Sequence, residues 1–111
     1  MFALNGDLNV KGLGFSEQHR AVLINEVQVI INCAASVNFD DPLQEALLIN
    51  YFGALQLLDI AKQSVSLESF THVSTAYVNS NREGQIDERV YPVPNNEDPE
   101  MLVSRIMRLS R

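Results

Sequence analysis

The apolar positions of this chain fall into runs of different kinds, and each kind predicts a different element. Val27 to Ala35, VQVIINCAA, is apolar and β-branched without alternation, the pattern of a strand buried on both faces. Pro42 to Gln63, PLQEALLINYFGALQLLDIAKQ, repeats Leu43, Leu47, Tyr51, Ala54, Leu58 and Ala61 at helical spacing. Leu48, Phe52, Leu55 and Ile60 fill much of the other side. A long helix that is apolar nearly all round is expected to be covered on more than one face, by a sheet and by another helix or a second subunit. Phe70 to Thr75 is again β-branched and aromatic, and predicts a strand.

Polar and turn-forming residues mark the ends of these runs. Phe2-Ala3-Leu4 reads as the end of a strand entering a turn at Asn5-Gly6-Asp7, and a loop with Gly12 and Gly14 follows. Ser16 is placed to N-cap a short helix carrying Val22, Leu23 and Val27 towards a core. Asp41-Pro42 predicts the start of the long helix, with Asp41 as N-cap, Pro42 at the first helical position and Gln44 closing a capping box. From Tyr77 the chain turns polar, with Gly84, Pro92, Pro94 and several asparagines, so a long surface loop is expected. Asp98-Pro99 repeats the helix start, and Met101, Leu102, Ile106 and Leu109 make a last amphipathic helix. No internal repeat or low-complexity tract is present.

Buried strands alternating with helices predict an α/β fold, a Rossmann-like parallel sheet with right-handed crossover helices. In such sheets ligands bind beyond the carboxyl ends of the strands. Asp7, Ala34-Ala35 and Ser74-Thr75 all fall at strand ends in this reading.

Composition narrows the classes. A chain of 111 residues with 46% hydrophobic residues suits one small globular domain. A net charge of −6 and a pI near 4.7 argue against a nucleic-acid surface. Arg105, Arg108 and Arg111 gather at the C-terminus, where they complement the dipole of the last helix. The single cysteine, Cys33, excludes an internal disulfide and reads as a small hydrophobe on a buried strand. No run approaches the ~20 apolar residues of a membrane-spanning helix, and the N-terminus lacks the pattern of a signal peptide. His19 and His72 stand apart from other ligand types, so no metal is expected.

Each candidate site residue has a structural and a chemical reading. Asp7 is good turn chemistry after Asn5-Gly6, and equally an acceptor for a base amino group or a ribose hydroxyl. Ala34 and Ala35 leave a strand end without bulk, so a flat ligand can approach the backbone. Ser74 and Thr75 either cap local backbone or donate to a carbonyl oxygen that gains negative charge as it receives hydride. Asn50, in the long helix, is expected to tie that helix to neighbouring backbone. GLGFSE from Gly12 lacks the third glycine of a dinucleotide loop.

With Asp7, Cys33-Ala34-Ala35 and STAYVN from Ser74 in place, the chain resembles the fatty acyl-coenzyme A reductases. These are the alcohol-forming, male-sterility-type branch of the extended short-chain dehydrogenases. The resemblance covers GDLNVKGLGFSE, VIINCAASVNFDDPLQEALLIN, FTHVSTAYVNSNREGQIDERVYPVP and the following DPE. It implies NADPH as cofactor, with Asp7 and Leu8 flanking the adenine and Ala34-Ala35 lining the ribose and pyrophosphate. It implies a catalytic hydroxyl at Ser74-Thr75, with Thr75 favoured as catalytic and Ser74 beside the cofactor. The implied substrate is a long-chain acyl-CoA, reduced through an aldehyde to a primary alcohol. Pairing of two copies through the 42–63 helix is a further expectation. An intracellular location is expected, the family being often peroxisomal or associated with the endoplasmic reticulum.

The family also uses a tyrosine followed four residues on by lysine. Here Tyr51, Tyr77 and Tyr91 are followed at that spacing by Leu55, Asn81 and Asn95. The resemblance therefore implies residues 1–111 as the middle of a cofactor-binding domain, lacking the glycine-rich βαβ start and the Tyr-x-x-x-Lys part. In the strand order 3-2-1-4-5-6 the strands at Phe2, Val27 and Phe70 are the third, fourth and fifth. The missing strands would leave a two-stranded pair with an open edge, so the isolated chain is expected to be marginally folded and inactive. The alternatives weighed are a carboxylic acid reductase domain, a sugar-nucleotide epimerase, and a non-catalytic module that pairs through the long helix.

Overall fold

β1, Val29–Asn32, and β2, Ser69–His72, pair in parallel in the computed structural model, with Val29 opposite Ser69 and Asn32 opposite His72. The structure describes residues 1–109, so Arg111 of the predicted arginine cluster lies outside the described residues. The chain divides into two units, Met1–Val73 and Ser74–Arg111.

In the first unit α1, Glu17–Glu26, begins as its sequence predicts: the Ser16 hydroxyl accepts from the His19 N–H at 3.1 Å. Val22 is exposed, while Leu23 and Val27 are half-buried. The crossover from β1 to β2 runs as one continuous helical rod: α2, Leu43–Leu47, a π-helical stretch, Leu48–Gly53, and α3, Ala54–Gln63. Its N-cap position falls on Pro42, one residue later than the sequence predicts, which moves Gln44 to the second helical position. The Asp41 carboxylate accepts from the Ser36 hydroxyl and the Asn38 amide. α3 packs on both strands, on α1 and on the turn Lys11–Gly14, which explains why the rod is apolar on more than one side.

The core of this unit is small. Ile60 and Ala61 of α3 are each 1% exposed, Leu13 is 2% and Ile30 8%. Burying Leu13 has a backbone cost, because it sits at φ 60° between Gly12 at 71° and Gly14 at 63°. A left-handed L-residue costs roughly 1–2 kcal/mol. Full burial of a leucine side chain offsets that with about 1.5–3 kcal/mol. The turn is further held by Asp7 N–H to Leu13 C=O at 2.8 Å and Gly12 N–H to Gln56 Oε1 at 2.6 Å.

Two strand expectations are corrected. The run predicted from Val27 to Ala35 is a strand only over Val29–Asn32, and it is buried on one face: Ile30 and Asn32 point in, while Val29 and Ile31 are 52% and 66% exposed. Helices cover one side of the pair, so the apolar residues of the other side face solvent. Phe2-Ala3-Leu4 forms no strand, and Phe2 is exposed. A strand needs a hydrogen-bonding neighbour, and the sheet of the described residues is the β1–β2 pair.

The second unit opens with a 3-10 turn, Ala76–Asn79, and runs through the predicted polar loop and a short turn, Pro94–Asn96, to α4, Pro99–Arg108. Asp98 caps α4 as its sequence predicts: one carboxylate oxygen accepts from Glu100 N–H at 2.9 Å and Met101 N–H at 3.0 Å. Leu102 and Ile106 are half-buried, whereas Met101 and Leu109 are exposed. Arg105 donates to Glu97 at 2.9 Å. No side chain of this unit is buried among the described residues. No described helix is long and apolar enough to cross a membrane.

Candidate functional site

Parallel pairing puts the carboxyl ends of β1 and β2 on one side of the first unit, and a cavity of about 340 Å³ opens at the end of β1. Asp7, Leu8 and Ala34 line it, with Gly6, Cys33 and Leu57. The fold thus brings three of the predicted cofactor-binding residues to one opening. Ala35 is exposed beside Ala34 but does not line the cavity. Cys33 is exposed one residue past β1, not buried on a strand as its sequence run predicts, because the strand ends at Asn32.

Asp7 plays the turn role that its sequence allows. Its Oδ1 accepts from the backbone N–H of Asn9 at 2.8 Å and from the Asn9 amide at 3.2 Å. Oδ2 makes no hydrogen bond among the described residues, so an acceptor remains for a donor such as a hydroxyl or an amino group. The lining fits a nucleoside better than a phosphate: among the described residues it offers a carboxylate, small side chains and apolar surface, and no cation. Gly6 is required here, since a Cβ would sit 2.7 Å from the Phe15 ring and 3.3 Å from the Leu13 carbonyl oxygen.

Two contacts hold segments next to the lining residues Ala34 and Leu8 against the helical rod. Asn50, in the π-helical stretch, accepts from Ser36 N–H at 2.8 Å and donates to Ser36 C=O at 3.2 Å. That is the backbone tie its sequence predicts, made by an exposed rather than a buried amide. Gly53 lets the loop at Leu8 approach the helix: a Cβ there would meet Leu8 atoms at 3.0 to 3.2 Å. On the sheet, the buried Asn32 amide lies 3.0 Å from His72 Nδ1, so the one buried polar side chain among the described residues has a partner.

Ser74 and Thr75 belong to the second unit. Thr75 Oγ1 accepts from Tyr77 N–H at 3.2 Å and caps the Ala76–Asn79 turn, which is the local reading of this hydroxyl. Because the oxygen accepts in that bond, its own O–H is left to donate. Ser74 lines a separate cavity of about 400 Å³, formed within the second unit with Asn79, Arg82, Arg89 and Tyr91.

Sequence reasoning missed the centre of that second cavity. The Tyr91 ring carries two guanidinium groups, with Arg82 Cζ 4.0 Å and Arg89 Cζ 4.3 Å from its centroid. Its hydroxyl accepts from Asp87 N–H at 2.9 Å. That backbone donor first, and Arg89 next, hold the phenol below its usual range. The signal that would have found it is an aromatic residue two positions after an arginine in a turn-rich loop, with a second arginine seven residues before that one.

Comparison with known proteins gives a consistent result. The model of an NAD-binding family described as male sterility protein matches residues 1–110. Fatty acyl-CoA reductase 1 of Rattus norvegicus and of Homo sapiens are each 40% identical over 106 residues, covering 96% of this chain and 20% of the relative. Fatty acyl-CoA reductase 2 of Bos taurus is 41% identical over 92 residues, covering 83% of this chain and 18% of the relative. The chain thus spans about a fifth of the length of the curated relatives it matches.

Proposed function

From the membership of this chain in the male sterility protein family of NAD-binding proteins, we propose that it is the middle part of the cofactor-binding domain of a reductase that converts long-chain acyl-CoA to fatty alcohol with NADPH. The observation that carries this reading is the cavity at the carboxyl end of β1, where Asp7, Leu8 and Ala34 converge. The names of the relatives favour it over a carboxylic acid reductase or an epimerase.

Asp7 Oδ2 accepts from the adenosine part of the nucleotide, and Ala34 and Ala35 keep the strand end open to it. When bound, the reduced nicotinamide supplies the hydride. Thr75 donates its O–H to the substrate carbonyl oxygen while its lone pair stays on Tyr77 N–H, a bond that fixes the hydroxyl's direction. Exposed Leu43 and Leu55 support pairing of two copies through the 42–63 helix.

A chimaera tests the reading. Residues 1–111 replace the matching segment of the rat reductase 1, and NADPH oxidation is followed with a long-chain acyl-CoA. The chimaera is expected to turn over with NADPH in preference to NADH. Thr75→Val in it should lower kcat by about 100-fold or more, the scale of a lost oxyanion donor. A soluble, folded chimaera that binds NADPH but leaves acyl-CoA unreduced would overturn the proposal.

A further inference from the structure

We propose that the cavity of the second unit lined by Arg82, Arg89 and Ser74 binds the phosphate group of a nucleotide-bearing ligand. Among the described residues, the charged side chains on its wall are both arginines. In a chain of net charge −6 with 8 lysines and arginines, two of them converge on one tyrosine ring. Two like charges gathered at one ring repel each other, and a bound anion relieves that.

The stacking also prepares the guanidinium groups for such a ligand. A guanidinium over an aromatic ring carries five N–H donors; Arg89 uses one on the Tyr91 hydroxyl, and others remain for a planar, bidentate partner such as phosphate. Arg82 makes no ion pair among the described residues. Arg89 has only a loose one, 3.8 Å from Asp87, with both side chains more than half exposed; such a contact is weak and screened. The Ser74 hydroxyl and the Asn79 and Asn81 amides line the same cavity and can donate to the remaining phosphate oxygens. Its volume, about 400 Å³, lies within the range of about 300–1,000 Å³ in which small ligands bind. The lowered phenol of Tyr91 agrees with a positive wall, although a backbone N–H is its first cause.

The choice of coenzyme A as first probe rests on the acyl-CoA reading above; the arginine pair does not. The chimaera of rat reductase 1 that carries residues 1–111 is treated with an arginine-selective dione, with and without ligand, and the modification of Arg20, Arg82 and Arg89 is read by peptide mass spectrometry. Arg20, which donates to Gln63 in the first unit, is the internal reference. Coenzyme A is expected to slow modification of Arg82 and Arg89 several-fold and to leave Arg20 unchanged. Loss of that protection with 3′-dephospho-coenzyme A assigns the bound group to the 3′-phosphate, and equal protection assigns it to the pyrophosphate. Protection by NADPH but not by coenzyme A supports the phosphate site and gives it to the cofactor. Protection by inorganic pyrophosphate alone supports the site while removing the acyl-CoA assignment. Arg82→Gln and Arg89→Gln should each weaken binding about tenfold, as for a lost charged hydrogen bond. If no probe changes the reactivity of Arg82 and Arg89 relative to Arg20, or both variants bind like the parent chain, the proposal is wrong.

Discussion

The two units of this chain are held in shape by different forces. The first has a buried centre, Leu13, Ile30, Ile60 and Ala61, on which a strand pair, a long helical rod and a strained turn all depend. The second has no buried side chain among its described residues; its order comes from the caps at Thr75 and Asp98, the Arg105–Glu97 ion pair and the stacked Tyr91. Packing is cooperative, so a single core change is felt throughout a unit. Caps and stacks are local, so each governs only its own turn. The cavity at Asp7 therefore lies on the cooperative unit, and the arginine cavity lies on the one ordered by local contacts.

Ile60→Ala is the largest test of that contrast. Leucine- or isoleucine-to-alanine changes at fully buried sites cost about 2–5 kcal/mol, and whole domains hold only about 5–15 kcal/mol. The first unit, with so small a core, should lose its amide protection in β1 and β2, while exchange in α4 stays as it was. Equal loss of protection in both units would show that they fold as one body and would end the comparison. Gly53→Ala comes next. The added Cβ meets Leu8 at 3.0 Å on the side chain and 3.2 Å on the carbonyl oxygen, and overpacking of that kind costs about 1–3 kcal/mol. A lowered urea midpoint for the first unit is expected; an unchanged midpoint would mean the loop at Leu8 moves away freely.

How much of this was readable in advance follows the same division. Where a signal is local, the sequence carries it: Ser16 and Asp98 cap the helices they precede, and Asp7 makes the turn that Asn5-Gly6-Asp7 suggests. The family and the strand–helix–strand order were legible from CAASVNFD and STAYVN together with the apolar runs. Burial was not. Val29 and Ile31 read as core because they are β-branched, but which face of a strand is covered depends on what packs there. The π-helical stretch was also hidden, since a helix with one added residue per turn leaves no separate mark on a run that is apolar all round. The arginine–tyrosine stack was invisible for a different reason. Arg82 and Tyr91 are nine positions apart, and only the folded path of the loop brings them together.

A smaller effect is expected at Asp98. Replacing it by alanine removes the acceptor for Glu100 and Met101 N–H, and a lost N-cap costs about 1 kcal/mol. α4 should fray from its first turn, seen as faster exchange of those two amides, and Asp98→Ser should restore most of the protection. Because the cap is local, β1 and β2 should not change. Faster exchange in the strands after Asp98→Ala would contradict the independence of the two units.

The most delicate probe is the ionisation of Tyr91. Its phenol is held below the usual value by the Asp87 N–H and by Arg89 and Arg82. All of these favour the phenolate, so the folded loop binds the proton less tightly than the unfolded chain does. The sign follows: the contribution to local order is fully present above the unfolded pKa near 10 and is lost as pH falls through the lower folded value. A spectrophotometric titration should show a tyrosine step below the usual range, and Tyr91→Phe should remove that step. Arg89→Gln should move the step part of the way back and leave the contribution of the Asp87 N–H. The step should also move upwards when a phosphate ligand neutralises the arginines. A ligand that protects Arg82 and Arg89 from modification without moving it would be bound away from the ring, and the stacked tyrosine would then only hold the arginines in place.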